Sequence, residues 1–484
     1  MKLLAIDIGA SGGKAMLGDF SEKSLKITEL RRFQNGMVSV NGIRHWPVLR
    51  LHEDIKACLA AAGSDVAAAG VDTWGVDYGY IGRDGDLLGL PFAYRQPRTD
   101  RAIARIHERL PPPKLYAKNG LQFLPFNTIY QVADDMASRP WLVENADKLL
   151  LMPALLGYLL TGRAVSEYTM ASTTGLLDAV QRKWSPDLLA AAGFPADRLP
   201  TVIEAGSVRT PLLADVARET NSRAEFIFPA GHDTAAAVAA VPAQGDDWAF
   251  LSAGTWFLVG TELSAPMLSE AARTAGFTNE GGVGGRIRFL KNVTGLWLLE
   301  ELRRQWRSAG RDIGFAEIVA EARRAPAFAA LVNPDDPTLA APDDMTAAIA
   351  ALCRTSGQRP PEGVGPLARC VFESLALASQ RVLDRLQKVS GRNVRRLHVV
   401  GGASRNEMLC EMLAAACNVT VLAGPEEATA TGSLLVQAMG MGVISGLDEG
   451  RELVRRSIHP REYQPGSDRS AWDAATARFE KLLG

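Results

Sequence analysis

Two short stretches, LLAIDIGASGGKAML at residues 3–17 and WAFLSAGTWFLVG at residues 248–260, decide how this chain is organised. Each consists of an apolar strand, a turn of small residues and a second apolar strand. Glycine in such a turn reaches positive φ without steric cost and lets backbone N–H groups approach an anion closely. Two such hairpins half a chain apart predict a duplicated fold that holds a polyphosphate from both sides, which is typical of a kinase.

Length and composition indicate a globular protein with more than one domain. A chain of 484 residues is too long for a single core, and 47% hydrophobic with 22% charged residues is ordinary globular composition. The formal net charge of −1 gives no reason to expect a nucleic acid or an anionic membrane as partner. We therefore expect small-molecule partners, and the oligomeric state stays open.

The N-terminus and the cysteines favour a cytoplasmic protein. The run MKLLAIDIG is too short and contains an acid, so it predicts a first β-strand and not a secretory signal. No stretch approaches the ~20 apolar residues of a membrane-spanning helix. Five cysteines without a CxxC pair are expected to be reduced thiols, although a bridge between Cys353 and Cys370 stays open.

Strand-like runs alternate with amphipathic helical patterns along the chain, which predicts an α/β fold. A composition shift at residues 242–247 predicts two domains, residues 1–242 and 243–484. Predicted strands cover residues 3–8, 15–19, 25–33, 68–73, 224–228, 397–400 and 419–422. Predicted helices cover residues 52–62, 100–110, 147–160, 366–389 and 428–439.

The first hairpin, DIGASGGK, differs from the better-known phosphate loops. A Walker A loop needs four residues between its first glycine and Gly-Lys, whereas Gly9 and Gly13-Lys14 enclose three. The dinucleotide fingerprint also fails, because a strand and not a helix follows. The pattern instead predicts that Asp7 holds Mg²⁺ through water while the Ser11 hydroxyl and backbone amides meet phosphate.

The segment GHDTA contains the candidate general base. Phosphoryl transfer to a sugar hydroxyl needs a carboxylate that orients the hydroxyl and takes its proton, and Asp233 provides one. Asp233 and Thr234 also occupy the place of a helix N-cap, which is the structural alternative. His232 is interpreted only as a sugar contact.

Three further motifs predict binding groups. In GVDTWGVDYG, the Trp74 ring beside Asp77 suits a sugar, which has apolar C–H faces and polar edges. In SAGTW, Gly254 offers an amide and Thr255 a hydroxyl to the transferring phosphate. In VVGGASRN, two glycines, Gly401 and Gly402, lie between a strand and a helix, where a nucleotide can bind.

The ordered set of motifs resembles the FGGY family of carbohydrate kinases and is most similar to its rhamnulokinase branch. The resemblance covers residues 3–445 and rests on DIGASGGK, GVDTWGVDYG, YRQPRT, LPFNTIYQ, AGHDTA, SAGTW, FTNEGG, LKNVTGLWLLE and VVGGASRN. It implies two actin-like (ribonuclease H-like) α/β domains with an active site in the cleft between them. The implied reaction is ATP-dependent phosphorylation of L-rhamnulose at its C1 hydroxyl, with Mg²⁺. A kinase for another ketose or a polyol, with L-fuculose, L-ribulose and xylulose as candidate sugars, remains an alternative, as does a sugar-sensing protein with an ATPase fold and no catalysis.

The resemblance also implies roles for individual residues. It makes Asp233 the general base. The implied sugar contacts are Gly75, His232, Asp233, Thr234 and Asn292. The implied nucleotide contacts are Ala10, Ser11, Gly12, Gly13, Lys14, Thr255, Glu300 and Gly402. Four positions depart from the family pattern. Lys14 stands in place of an arginine, Glu300 in place of a glutamine, and Gly231 and Ala253 in place of serine-like residues.

Overall fold

The computed structural model describes residues 1–21 and 24–483 and divides into two compact units. Unit 1 comprises Met1–Pro242, Glu262–Phe289 and Ala428–Ile458, and unit 2 comprises Ala243–Thr261, Leu290–Glu427 and His459–Gly484. Two segments from the second half of the sequence therefore belong to unit 1. No local sequence pattern indicates this exchange.

The secondary structure alternates as the sequence predicts. The strands are β1 Lys2–Ile8, β2 Gly12–Phe20, β3 Leu25–Gln34, β4 Val38–Val40, β5 Ile43–His45, β6 Val66–Thr73, β7 Tyr78–Gly82, β8 Leu87–Leu88, β9 Ala146–Leu151, β10 Ser166–Glu167, β11 Leu177–Asp178, β12 Lys183–Trp184, β13 Val202–Ile203, β14 Arg209–Pro211, β15 Glu225–Ile227, β16 Trp248–Ala253, β17 Trp256–Leu263, β18 Thr278–Gly281, β19 Ile287–Thr294, β20 Arg396–Val400, β21 Thr420–Ala423 and β22 Arg461–Tyr463.

The helices vary from one turn to more than seven turns. They are α1 Val48–Ala62, α2 Asp100–Arg109, α3 Pro112–Asn119, α4 Thr128–Ser138, α5 Pro140–Asn145, α6 Met152–Thr161, α7 Tyr168–Ala171, α8 Pro186–Ala192, α9 Ala214–Thr220, α10 Asp233–Ala239, α11 Glu270–Ala275, α12 Trp297–Ser308, α13 Phe315–Arg324, α14 Met345–Thr355, α15 Val364–Ser390, α16 Glu407–Cys417, α17 Ala428–Gly440, α18 Leu447–Ser457 and α19 Ser470–Lys481. In the described residues, no helix is long and apolar enough to cross a bilayer.

Unit 1 is built on a six-stranded sheet with the order β14-β15-β6-β1-β2-β3. The first predicted hairpin is confirmed, because β1 pairs with β2 in antiparallel fashion, and β1 also pairs with β6 in parallel fashion. Strand β1 is apolar at nearly every position because helices cover both of its faces. Helix α1 turns Leu51, Ile55 and Leu59 into the core at helical spacing.

The predicted helix over residues 147–160 is wrong in its first five residues. Residues Ala146–Leu151 form strand β9, which pairs with β7, and helix α6 begins only at Met152. Pro153 lies in the first turn of α6, where a missing N–H leaves no hydrogen bond unmade. The apolar run Leu149–Leu151 is compatible with either element, and pairing with β7 decides in favour of the strand.

Unit 2 contains the second predicted hairpin, which is also confirmed. Strands β16 and β17 are antiparallel, and β16 pairs in parallel with β20, which pairs in parallel with β21. The long predicted helix is α15, which ends at Gly391 in the left-handed conformation that glycine adopts without strain. All five cysteines are buried thiols, so Cys353 and Cys370 are not bridged.

Candidate functional site

The carboxyl ends of the central strands of unit 1 bring acidic residues together. Asp7 lies directly opposite Asp72 in the parallel register of β1 and β6. The backbone N–H of Thr73, at the end of β6, donates to the Gly231 carbonyl at 2.9 Å, and Thr73 forms a parallel bridge with His232. The segment that precedes α10 is thereby tied to the same edge of the sheet as the two carboxylates.

The first hairpin turn presents the residues that the sequence predicts for phosphate. Gly9 N donates to Gly12 O at 2.9 Å, which closes the turn, and Ser11 is exposed at its tip. A Cβ on Gly13 would lie 2.2 Å from the Phe33 ring, so the strand carries glycine there because β3 packs against it. The predicted nucleotide contacts occupy this turn and the start of β2; they are Ala10, Ser11, Gly12, Gly13 and Lys14.

Asp72 is a site residue that the sequence reasoning missed. Its side chain is completely buried, and neither carboxylate oxygen has a hydrogen-bond partner among the described residues. Burial, together with the negative charges of Asp7 and Asp233, raises the pKa of Asp72 well above its ordinary value, although Ser433 and Lys14 act in the opposite direction. In the sequence, Asp72 is one acidic residue within the apolar run of β6, and this pattern does not distinguish a site residue from any other acid.

These carboxylates fit a divalent cation that is held by few protein ligands. In the described part of the chain, no group of three or more His, Cys, Asp or Glu side chains could ligate one ion. The partnerless oxygens of Asp72 nevertheless suit a cation, and Mg²⁺ commonly keeps water and phosphate oxygens as its remaining ligands. Asp7 and Asp72 are the residues that could hold such an ion.

Asp233 lies one position further into helix α10 than the N-cap position that the sequence offered as an alternative. His232 is the N-cap, and Asp233 is the first residue of α10, so the N-cap interpretation of Asp233 is wrong. Its Oδ1 accepts hydrogen bonds from the backbone N–H of Thr234 at 2.6 Å and from the Thr234 hydroxyl at 3.1 Å. About a third of the Asp233 side chain is exposed, at 33%, so a ligand can reach it.

Buried side chains hold the backbone immediately before Asp233. Glu167 accepts a hydrogen bond from Gly231 N at 3.0 Å and another from the Thr169 hydroxyl at 2.6 Å. The Thr169 oxygen accepts in turn from His232 N at 3.2 Å. Burial raises the pKa of Glu167, and these hydrogen bonds oppose the rise.

The His232 ring contacts two buried charged residues that the sequence reasoning did not assign. Arg288 Nη2 lies 3.1 Å from His232 Nδ1, and Arg288 Nη1 lies 3.0 Å from Glu280 Oε2. The other ring nitrogen, Nε2, lies 3.4 Å from Asp233 Oδ1. Glu280 belongs to the FTNEGG motif, which could have identified it as a site residue from the sequence. Arg288 lies outside all of the motifs.

Asp77 does not have the exposed position that a direct sugar contact requires. Its carboxylate is fully buried, and Oδ2 accepts from Trp46 Nε1 at 2.6 Å, from Trp74 Nε1 at 3.0 Å and from Tyr94 N at 3.1 Å. Burial raises its pKa to about 6, and the hydrogen bonds act against the rise. Asp77 therefore orients Trp74, which is itself mostly buried and packs on Trp46 with ring centroids 4.0 Å apart.

Gly75 lies where the sequence predicts, beside the histidine. A Cβ at this position would be 3.3 Å from the Thr173 hydroxyl and 3.4 Å from His232 Nε2. The next residue, Val76, has φ 67, a left-handed conformation that is costly for a β-branched side chain. The Val76 carbonyl accepts a hydrogen bond from the Thr128 hydroxyl at 2.7 Å, which helps to hold the turn in this conformation.

Unit 2 assembles its own group of predicted nucleotide contacts. The carbonyls of Gly254 and Thr255 accept hydrogen bonds from Leu296 N at 2.9 Å and Gly295 N at 3.1 Å, which fixes the hairpin turn against the start of α12. The predicted contact Glu300 lies exposed in the first turn of α12.

A second glycine turn lies at the same edge of the sheet in unit 2. Because β16 and β20 are parallel neighbours, the turn after β20 lies beside the β16–β17 hairpin, and a Cβ on Gly401 would be 3.4 Å from Ala253 O. Gly402 begins a short 3₁₀ helix there. Asn292, a predicted sugar contact, lies on β19 in unit 2, whereas the other predicted sugar contacts lie in unit 1.

Comparisons with known proteins give matches over nearly the whole chain. The model of the FGGY family of carbohydrate kinases matches with its N-terminal domain at residues 2–240 and its C-terminal domain at residues 249–441. A rhamnulokinase of Bacteroides thetaiotaomicron is 42% identical over 99% of both chains. One of Enterococcus faecalis is 38% identical over 95% of this chain and 94% of its own.

Solved structures share the fold at low sequence identity. A ligand-bound xylulose kinase from Lactobacillus acidophilus has a TM-score of 0.80 at 15% identity, with 100% of this chain and 97% of that chain covered. A glycerol kinase from Plasmodium falciparum with ADP has a TM-score of 0.78 at 13% identity and the same coverage. At such identities the likeness establishes the fold alone.

Proposed function

Because this chain belongs to the FGGY family of carbohydrate kinases and is therefore a sugar kinase, we propose that its substrate is L-rhamnulose, phosphorylated at the C1 hydroxyl by ATP and Mg²⁺. The relatives named rhamnulokinase, at up to 42% identity over nearly the full length, support the choice of sugar. The observation that carries the proposed chemistry is Asp233, which is partly exposed at the first position of α10 and interacts electrostatically with the buried carboxylate of Asp72, as the half-buried Asp7 also does.

In the proposed mechanism Asp233 is the general base. Its carboxylate orients the C1 hydroxyl and accepts the proton as the hydroxyl oxygen bonds to the terminal phosphorus of ATP. The bond from that phosphorus to the bridging oxygen breaks in the same step, and ADP leaves. Transfer of a phosphoryl group depends mostly on positioning and on neutralising charge, so the reaction does not need a strong base. His232, Thr234, Gly75 and Asn292 contact the sugar, and Trp74 contributes an apolar face that Asp77 orients.

In this mechanism Asp7 and Asp72 are the residues that would hold Mg²⁺, directly or through water. A cation held there would supply positive charge against the charge that develops on the phosphate oxygens. The chain's own groups complete the binding of the nucleotide. The proposed contacts are Ala10, Ser11, Gly12, Gly13, Lys14, Gly254, Thr255, Glu300, Gly401 and Gly402. Lys14 acts as a point charge, since an ammonium lacks the fork of an arginine.

We also propose the setting in which this reaction occurs. Two sequence domains, residues 1–242 and 243–484, contribute the two phosphate hairpins. Five buried thiols, the use of ATP and the absence of a membrane-spanning helix in the described residues support a cytoplasmic location. The expected partners are the ketose and the nucleotide.

A coupled ADP assay over a panel of ketoses tests the substrate. The panel contains L-rhamnulose, L-fuculose, L-ribulose and xylulose, each with ATP in the presence and absence of Mg²⁺. We expect the highest kcat/KM for L-rhamnulose and no turnover after chelation of the metal. A higher kcat/KM for another ketose would reassign the substrate, and sugar binding without ADP release would make the protein a sensor.

The variant Asp233→Asn tests the base. We expect kcat to fall by about 10²–10⁴-fold with little change in ATP affinity, because the amide keeps the shape and loses the proton acceptor. Asp215→Asn is the matched control, since Asp215 is an exposed acid in the first turn of α9, a helix of the same length. Near-normal turnover of Asp233→Asn would remove the assignment.

A further inference from the structure

The His232 ring lies between two charged groups on one side and the proposed base on the other. Arg288 is completely buried, and its Nη2 lies 3.1 Å from His232 Nδ1. The guanidinium is held in place by its Nε, which donates to the Gly281 carbonyl at 2.9 Å, and by the ion pair with Glu280. These residues all lie in unit 1.

The chemistry of arginine determines which ring nitrogen carries the proton. A guanidinium has N–H donors and no acceptor, so a nitrogen that it contacts must offer a lone pair. Glu280 Oε2 competes for Nδ1 from 3.4 Å and would favour a proton there. The shorter contact is the one to Arg288, and a second positive charge beside an imidazolium is unfavourable, so Nδ1 acts as the acceptor.

With Nδ1 as acceptor, the ring proton lies on Nε2. This nitrogen is 3.4 Å from Asp233 Oδ1, the same oxygen that accepts both hydrogen bonds from Thr234. Two hydrogen bonds from Thr234 and this longer electrostatic contact from the ring therefore meet at Oδ1. The other carboxylate oxygen, Oδ2, takes part in none of these contacts and keeps its lone pairs for a substrate.

We propose that Arg288, anchored by Glu280, is a positioning residue that holds His232 as the neutral Nε2–H tautomer and so makes Oδ2 of Asp233 the oxygen that accepts the sugar proton. The assignment rests on the proposed function only in the role of Asp233. The tautomer itself follows from the geometry around the ring.

The charged groups around His232 make the arrangement sensitive to loss of the guanidinium. Glu280 on β18 and Asp233 on α10 face the ring, Asp72 on β6 interacts with Asp233, and Glu167 holds the backbone before the ring. Without Arg288, the carboxylates of Glu280 and Asp233 flank His232 and the guanidinium no longer opposes them. His232 then gains a proton, and the resulting imidazolium pairs with Asp233 and weakens the base.

Histidine-selective ¹⁵N NMR of the wild-type protein is the first test. Long-range ¹H–¹⁵N correlations distinguish a protonated from an unprotonated ring nitrogen, and His232→Gln identifies the signal among the six histidines. We expect Nδ1 to be unprotonated and Nε2 protonated near neutral pH. Protonation of Nδ1 in the wild-type protein would overturn the proposal without any reference to activity.

Arg288→Met is the second test, with Arg286→Met as the matched control because Arg286 is exposed two residues earlier. We expect Nδ1 of His232 to become protonated in Arg288→Met and to remain unprotonated in Arg286→Met. Arg288→Lys, which restores a cationic donor and the pair with Glu280, should return the wild-type tautomer. An unchanged tautomer in folded Arg288→Met would contradict the inference, and Arg288→Lys keeps the test valid if Arg288→Met does not fold.

The pH profile of turnover adds a readout that a purely structural role would not change. We expect kcat of Arg288→Met to fall by about tenfold or more at neutral pH and to recover as the pH rises, while KM for ATP stays near its wild-type value. A loss of the same size at every pH would show damage to the site and overturn the inference. If the wild type has the expected tautomer but no kinase activity, the proposed function fails and the tautomer assignment stands.

Discussion

At the scale of single residues, the site depends on carboxylates whose environments differ. Asp233 is partly exposed and accepts hydrogen bonds, whereas Asp72 is buried and its oxygens have no hydrogen-bond partner among the described residues. The first environment suits a group that exchanges a proton with a ligand. The second environment makes the ionised form of the carboxylate unfavourable, and a bound cation would offset that cost.

The variant Asp72→Asn tests whether the ionised carboxylate of Asp72 lowers the stability of the folded protein. A raised folded-state pKa means that the ionised Asp72 destabilises the fold, and the cost grows as the pH rises above the ordinary carboxyl value of about 3.9. We expect Asp72→Asn to become more stable than the wild type as the pH rises, measured by urea unfolding at several pH values. We also expect about a tenfold or greater rise in the Mg²⁺ concentration for half-maximal activity.

Asp19→Asn is the control for this experiment, since Asp19 is an exposed carboxylate on β2. It should leave both measurements close to those of the wild type. A stability difference between Asp72→Asn and the wild type that shrinks with rising pH would contradict the burial of an ionisable Asp72.

Gly13→Ala tests the packing of the first hairpin. The new Cβ would lie 2.2 Å from the Phe33 ring, so we expect a loss of about 1–3 kcal/mol in the free energy of unfolding and weaker ATP binding by calorimetry. Adding Phe33→Leu should recover part of both, because the smaller side chain makes room. Gly36→Ala, which meets nothing within 4 Å, is the control. If Gly13→Ala binds ATP as tightly as the wild type, the packing of the first hairpin does not contribute to nucleotide binding.

At the scale of elements, helix α10 carries Asp233 and packs closely on α17. A Cβ on Gly432 would lie 1.7 Å from the Ala236 carbonyl oxygen, which is backbone and cannot move aside. The small residues of ATATGSLLVQAMG, residues 428–440, therefore serve close helix packing. This packing fixes the direction of α10 and hence the position of its first residue.

Gly432→Ala should show this dependence. We expect the two helices to separate, with a loss of about 1–3 kcal/mol or more in the free energy of unfolding by urea titration and a fall in kcat. Gly446→Ala, in the connection between α17 and α18, is the control because a Cβ there meets nothing within 4 Å. Full stability of Gly432→Ala would mean that the contact relaxes without cost.

At the scale of the whole molecule, the fold protects its thiols. All five cysteines are buried, and burial raises the pKa of Cys58 and that of Cys410 to about 12. Cys353 differs, because a hydrogen bond from the Cys370 thiol lowers its pKa. Thiolate is the reactive form, so chemistry at these sulfurs requires local opening of the structure.

Titration with a chromogenic disulfide reagent measures this protection. We expect the native protein to react slowly, at the rate of local unfolding, and the urea-unfolded protein to give five equivalents at once. Cys353→Ala should remove the fastest native phase, since Cys353 has the lowered pKa. A thiol that reacts immediately in the native protein would contradict the buried placement.

The sequence by itself determined the local structural features of this protein. The two hairpins, the α/β alternation and the acid at the start of α10 follow from apolar runs, glycine turns and helix-forming alanines, which are properties of neighbouring residues. Even so, short-range patterns failed where a run suited two elements, as at residues 147–151, which pairing with β7 makes a strand.

Only the tertiary structure decided which distant residues surround the site. Glu280 and Arg288 belong to a segment that joins unit 1 from the second half of the chain, and they meet His232 across about fifty residues of sequence. The burial of Asp72 and Asp77 could not be predicted from the sequence either. An acidic residue within an apolar run gives the same sequence pattern whether its side chain faces a ligand or the core. Burial and charge pairing depend on what other segments place nearby, and this information lies in the three-dimensional arrangement of each unit.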